Sequence, residues 1–108
     1  MKGFRLITSR FTDQTYALYP SDKIYSGVLG TSEQQVTVPS GASFVMFVAE
    51  GNFYVNYDTT AAVPSGSISE AGGELNPFIR SIDEVTTLHL IAPSSIRISL
   101  VFYDKSSE

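Results

Sequence analysis

The sequence predicts an all-β protein, an antiparallel β-sandwich of jelly-roll type with about seven or eight strands in a single domain over residues 1–108. Three observations carry that expectation. Apolar and polar residues alternate over short runs rich in Val, Ile, Phe and Tyr, the period-two pattern of strands with one buried face. Turn signals such as Pro39-Ser40-Gly41, Glu50-Gly51-Asn52 and Ala92-Pro93-Ser94-Ser95 punctuate these runs at intervals of about ten residues. No stretch competes with helical periodicity. The jelly-roll variant is favoured because a long connection ahead of the last two strands can cross between sheets.

Taken in order, Phe4 to Thr8 alternates as a first strand, Thr12-Asp13-Gln14 is a turn, and Gln14 to Tyr19 is a second strand ended by Pro20. Lys23 to Gly30 holds a short strand with a bulge expected at Gly27. Val36 to Tyr57 reads as three consecutive strands joined as hairpins, with Gly51 supplying the positive φ of a bulged turn. In the third of these, Phe53, Val55 and Tyr57 share one face and Tyr54 and Asn56 the other. Residues 58–84 then form a long tract of Thr, Ala, Ser, Gly and Pro in which only Ile68 and 78–82 offer extended pieces. A loop of that length in a small domain tends to be functional or a contact arm. Val85 to Ile91 alternates with Leu88 and Leu90 together, and Ile96, Ile98, Leu100 and Phe102 give the last strand an unbroken apolar face. The expected core is therefore Phe44 or Phe47 with Val55, Leu88, Leu90, Ile98, Leu100 and Phe102.

Composition narrows the function classes. Hydrophobic residues make up 43% of the chain, enough for a packed interior, and charged residues only 17%, which leaves a surface dominated by uncharged polar groups. The net charge of −4, with seven scattered basic residues, argues against nucleic-acid binding, which needs clustered Lys and Arg. Without cysteine there is no disulfide, thiolate metal site or Cys nucleophile. Met1 to Ile7 has no apolar core of signal-peptide length, and no apolar run approaches the ~20 residues needed to span a membrane, so no membrane association is expected.

No catalytic constellation stands out. His89 is the sole histidine and lies on a mixed strand face with Thr87 and Ile91, and no serine sits in a nucleophile-elbow motif. Glu70 and Glu74 flank Ala71-Gly72-Gly73 and could converge, with Asp58 a remote third, but they lack the dense spacing of a calcium loop. Asp83 and Glu84 are adjacent and would point apart on a strand. Gly72-Gly73 has no Lys-Ser/Thr sequel, so it is not a phosphate loop. The chain is expected not to be an enzyme and to carry no cofactor or metal. Tyr54, Tyr57 and Tyr103 would suit sugar stacking but are also ordinary strand residues.

One feature points to assembly. Phe44 to Ala49 is apolar on both faces, whereas a sandwich strand needs only one apolar face. The spare face calls for cover from an identical subunit or another partner. Val45 and Phe47 are expected on this interface, and Leu75, Pro77, Phe78 and Ile79 as apolar anchors of a flexible docking arm, with Arg80 pairing a partner carboxylate.

The run Val36-Thr37-Val38-Pro39, the Glu50-Gly51-Asn52-Phe53-Tyr54-Val55 segment, Glu74-Leu75-Asn76-Pro77 ahead of Arg80, and Leu90-Ile91-Ala92-Pro93 resemble small virion proteins encoded by tailed bacteriophages. Residues 1–35 lie outside the resemblance. Such proteins include jelly-roll decoration or cement proteins on the outside of the head, often trimers. The resemblance implies a non-enzymatic structural protein of the virion, made in the host cytoplasm, whose partners are further copies of itself and the major capsid protein or another virion protein. It implies no catalytic residue. The alternative is a carbohydrate- or receptor-binding module of a tail or fibre, against which the absence of Trp counts.

Overall fold

The computed structural model describes residues 1–3, 6–8, 16–18, 20–69 and 72–105. Phe4 and Arg5, the turn at 12–14 and Glu70 lie outside the described residues. Eleven strands follow one another, and no helix occurs among the described residues: β1 (Lys2–Gly3), β2 (Leu6–Thr8), β3 (Tyr16–Leu18), β4 (Ile24–Leu29), β5 (Gln34–Thr37), β6 (Phe44–Ala49), β7 (Tyr54–Tyr57), β8 (Glu74–Leu75), β9 (Ile79–Ser81), β10 (Thr87–Ile91) and β11 (Ile96–Asp104). Strands β2 and β3 pair antiparallel as a separate ribbon.

The other strands build two sheets. In the first, β11 is flanked on one side by β6, which in turn pairs with β9. On its other side β11 pairs with β4 along residues 96–101 and with β1, in parallel, at Tyr103 and Asp104. The second sheet has the order β5-β10-β7-β8. From β4 onward the pairing is nested: β4 with β11, β5 with β10, β6 with β9, and β7 with β8. The chain is thus one long hairpin rolled into two facing sheets. That is the jelly-roll topology in eight strands, β1 adding a ninth to the two sheets, whereas the expected seven or eight counted the N-terminal strands that pair apart as β2 and β3.

The nesting corrects the hairpin reading of the central stretch. β5, β6 and β7 alternate between the two sheets, so the turns after Thr37 and Ala49 carry the chain across the sandwich and do not join paired neighbours. The link from β10 to β11 crosses in the same way. Gly41 has the positive φ (88°) of its turn, closed by the Ala42 N–H donating to the Pro39 carbonyl at 3.1 Å. Gly51 does not adopt positive φ; it is small because a Cβ there would lie 3.0 Å from Cγ2 of Ile96. The bulge expected at Gly27 is also absent, since the β4–β11 register runs unbroken from Ile24 to Leu29.

Alternation decides which side chains meet between the sheets. Ile96, Ile98, Leu100 and Phe102 of β11 face Val55, Leu88 and Leu90 across the core, as the periodicity predicts. Phe47 and Phe53 pack as a tilted pair with ring centroids 5.7 Å apart. Val45 and Phe47 are 0% and 3% exposed, so they belong to the core and not to an interface. Both faces of β6 are apolar, and pairing with β11 settles the choice: Val45 is level with Phe102 and Phe47 with Leu100, both core residues.

The tract 58–84 is not a free arm. Ala61 and Ile82 are buried, and its second half supplies β8 and β9. Ala62 N–H donates to Gly72 carbonyl at 2.9 Å, folding the tract back on itself. Residues 62–69 form its exposed rim, with Ile68 unshielded and not in a strand.

Candidate functional site

Register places Ile24, Ser26 and Val28 of β4, Arg97, Ser99, Val101 and Tyr103 of β11, and Phe44, Met46 and Val48 of β6 on the outer face of the first sheet. The face is apolar on both sides of β11. Val28 is 59% exposed, Val48 53% and Ile24 52%. Between Val28 and Val48 lies an open hollow of about 480 Å³, floored by Ser26 and Ser99, whose hydroxyls are hydrogen-bonded at 2.8 Å. One end is bounded by Arg97, which donates from Nε to Glu50 Oε2 at 2.7 Å and from its backbone N–H to Oε1 at 3.0 Å. These bonds hold the Glu50 carboxyl below the usual range. Toward the other end Val101 and Tyr103 are buried, and burial pushes the Tyr103 phenol up.

The two edges of the sandwich differ. At the β8–β9 edge, Glu74 and Arg80 reach across between the sheets. Arg80 Nε donates to both Glu74 oxygens at 3.1 Å, and the Tyr57 hydroxyl donates to Oε1 at 2.9 Å. The guanidinium holds the Glu74 carboxyl low, while burial first and the Glu74 hydrogen bond second push the Tyr57 phenol up. Beyond this clasp, Phe78 projects from the connecting turn at 61% exposure. At the opposite edge, between β4 and β5, no ion pair among the described residues bridges the gap. There a slot of about 120 Å³ enters the core, walled chiefly by Leu29, Val36, Leu90, Ile98 and Leu100. It exists because inward-facing Gly27 has no side chain, and a Cβ there would meet nothing within 4 Å. Gln34 Nε2 donates to the Val28 carbonyl at 2.8 Å, tying the two edge strands together beside it.

The chemically suggestive residues are engaged in structure. His89 lies level with Gln35 and Asn56 on the outer face of the second sheet, its Nδ1 3.3 Å from Glu33 Oε2. That same oxygen accepts the Ala61 N–H at 2.6 Å, and this bond first of all holds the Glu33 carboxyl low. Asp58, at positive φ, accepts from the Thr86 hydroxyl at 2.7 Å and the Thr87 N–H at 2.9 Å, which depress its titration. Each pair fastens the start of the 58–73 tract to the second sheet. Among the described residues, no group of three or more His, Cys, Asp or Glu side chains could hold a metal ion.

The residues expected at an interface are divided by the fold. Leu75 and Phe78 are exposed, Ile79 is half-buried and Pro77 is buried. Arg80, expected to seek a partner's carboxylate, is paired with Glu74 of its own chain. The outer-face residues Ile24 and Val28 were legible only as part of a short strand around Gly27, a signal that does not say which sheet face stays bare. A scan against protein-family models, a search of curated proteins and a search of solved structures each find no match.

Proposed function

We propose that this protein is a non-enzymatic structural component of a phage particle, a homo-oligomer, most simply a trimer, that decorates the outer shell and binds the major capsid protein or another virion protein. The observation that carries the reading is the outer face of the first sheet. Ile24, Val28 and Val48 stand exposed there on two strands either side of β11, and Val28 and Val48 flank a hollow large enough to receive a protruding side chain or a short segment. Exposed apolar side chains on both flanks of such a hollow mark a surface that is covered in use. Burying it yields roughly 25 cal/mol per Å². The jelly roll supplies a rigid platform for such a contact, and the low fraction of charged residues keeps the desolvation cost of docking small. The hollow, and not a flexible arm, is the docking element in this reading.

The test is binding of purified protein to particles that lack it. The double variant Val28→Glu/Val48→Glu puts two carboxylates on the hollow's rim without touching the core. Docking should weaken at least tenfold while the melting temperature stays within a few degrees of wild type. Undiminished docking by the folded variant would remove this face from the proposal.

A further inference from the structure

We propose that copies of this chain join head to tail, with Phe78 of one copy entering the slot left open by Gly27 in the next. The inference rests on the oligomer proposed above and supplies its contact. Knob and slot lie on opposite edges of the same sandwich, Phe78 between β8 and β9 and the slot between β4 and β5. A contact between two different patches is heterologous, and repeated with a closing rotation it makes a ring.

Three observations fit the two parts to one another. The first is size. An apolar cavity on the order of 150 Å³ holds a benzene ring, so an open slot of about 120 Å³ suits one phenyl group entering from its mouth. Its walls are chiefly aliphatic, with Ser26, Gln34 and the aromatic Tyr25 completing the lining, and Tyr25 is braced edge-on against Phe102 with centroids 5.2 Å apart.

The second is preorganisation. An exposed aromatic is an effective anchor only if its backbone does not have to be ordered on binding. The turn bearing Phe78 is clamped on both sides. Asn76, at positive φ, donates its N–H to the Phe53 carbonyl at 2.9 Å, accepts the Phe53 N–H on Oδ1 at 3.0 Å, and bonds Asn52 through Nδ2 at 2.9 Å. Pro77 is buried, and the Phe78 carbonyl accepts the Phe47 N–H at 2.8 Å. The chain thus spends a rigid, buried turn on holding one large apolar side chain out in water.

The third is height. Phe47, bonded to Phe78, is level with Leu100, and Leu100 is level with Tyr25 at the slot. Rotation about an axis that runs along the strands leaves each level unchanged, so a ring built on that axis brings the knob to the slot without a shift along the strands. The same operation brings exposed Lys23, whose carbonyl binds Phe102 N–H, toward exposed Asp83 and Glu84 of the neighbour, because Ile82 is bonded to Ser43 at that end of the sheet. The charges are complementary.

The test uses Phe78→Ala, which removes the knob from an exposed site, and Gly27→Val, which fills the slot in a position where a side chain has room. Thermal unfolding establishes that both fold. In native mass spectrometry and sedimentation velocity, each variant alone should be monomeric where the wild type is oligomeric. An equimolar mixture should form a one-to-one heterodimer and nothing larger, since only the pair combining the intact knob of Gly27→Val with the intact slot of Phe78→Ala is functional. A two-fold, same-patch contact cannot give that result. If the wild type is oligomeric and either folded variant remains so, or if the mixture stays monomeric, this contact is overturned while the oligomer stands. A monomeric wild type overturns both.

Discussion

Leu88 and Leu100 are both core leucines, yet truncating them should have unequal costs. Leu88 is 0% exposed and is flanked in its sheet by Val36 and Tyr57, in closed packing. Leu100 forms a wall of the slot, which communicates with solvent. In Leu88→Ala, losing the side chain's transfer free energy costs roughly 2 kcal/mol, and a void on the order of 80 Å³ at ~24 cal/mol per Å³ adds about 2 more, for a total of about 4 kcal/mol. Both truncations are made on the monomeric Phe78→Ala background, where no neighbour fills the slot; there the void of Leu100→Ala merges with the slot and can be wetted, so the cavity contribution largely vanishes and about 2 kcal/mol remains. Urea denaturation at a slope of roughly 1–2 kcal/mol per M separates the two as a difference of ~1–2 M in midpoint. On a Gly27→Val background, which closes the slot, the cost at Leu100 should rise toward that at Leu88. Equal costs on the Phe78→Ala background would refute the open slot.

Other consequences follow from named contacts. Compared on the monomeric Phe78→Ala background, Gly27→Val should stabilise the protein by ~0.5–1 kcal/mol, because it removes a strand glycine and fills existing space; a lower urea midpoint there would contradict that. Gly73→Ala should cost ~1–3 kcal/mol by thermal unfolding, since Gly73 has φ of 113° and a Cβ would lie 2.7 Å from the Val55 carbonyl oxygen. Acid should loosen the fold through Glu74 and Glu33, whose carboxyls are held low chiefly by Arg80 and by the Ala61 N–H. A depressed folded value stabilises above the ordinary 4.5 and that contribution is lost as pH falls further, so melting temperature should drop below pH 4.5, and less steeply in Glu74→Gln. Tyr57 and Tyr103 have the opposite sense. Their raised phenols keep stability intact below the ordinary 10.0 and lose it as pH rises beyond, so ultraviolet titration should show them ionising after exposed tyrosines.

What was legible in the sequence were faces, and what was not were partners. Period-two alternation put Leu88 with Leu90, and Ile96 through Phe102 together, and both sets are buried. Alternation is a local property of the strand, so it survives any topology. A turn sequence such as Pro39-Ser40-Gly41 reverses or deflects the chain in the same way whether the flanking strands pair or pass to opposite sheets, and the hairpin reading failed there. Where both faces are apolar, as in Phe44 to Ala49, alternation has no contrast to read. Only the pairing with β11 assigns Val45 and Phe47 to the core and leaves Val48 outside. β8 and β9 are too short to alternate, and they are held by contacts across the sandwich, such as Arg80 with Glu74, between residues that look like loop charges in sequence. The slot went unseen because a strand glycine signals a bulge as readily as missing volume, and only facing residues distinguish the two.

The most direct test of the account is the mass of the native protein in solution. Sedimentation velocity at micromolar concentration should show one closed species, three copies of the 11.8 kDa chain, whose sedimentation coefficient does not climb with further loading as an open chain of copies would. A single 11.8 kDa monomer across that range would contradict it.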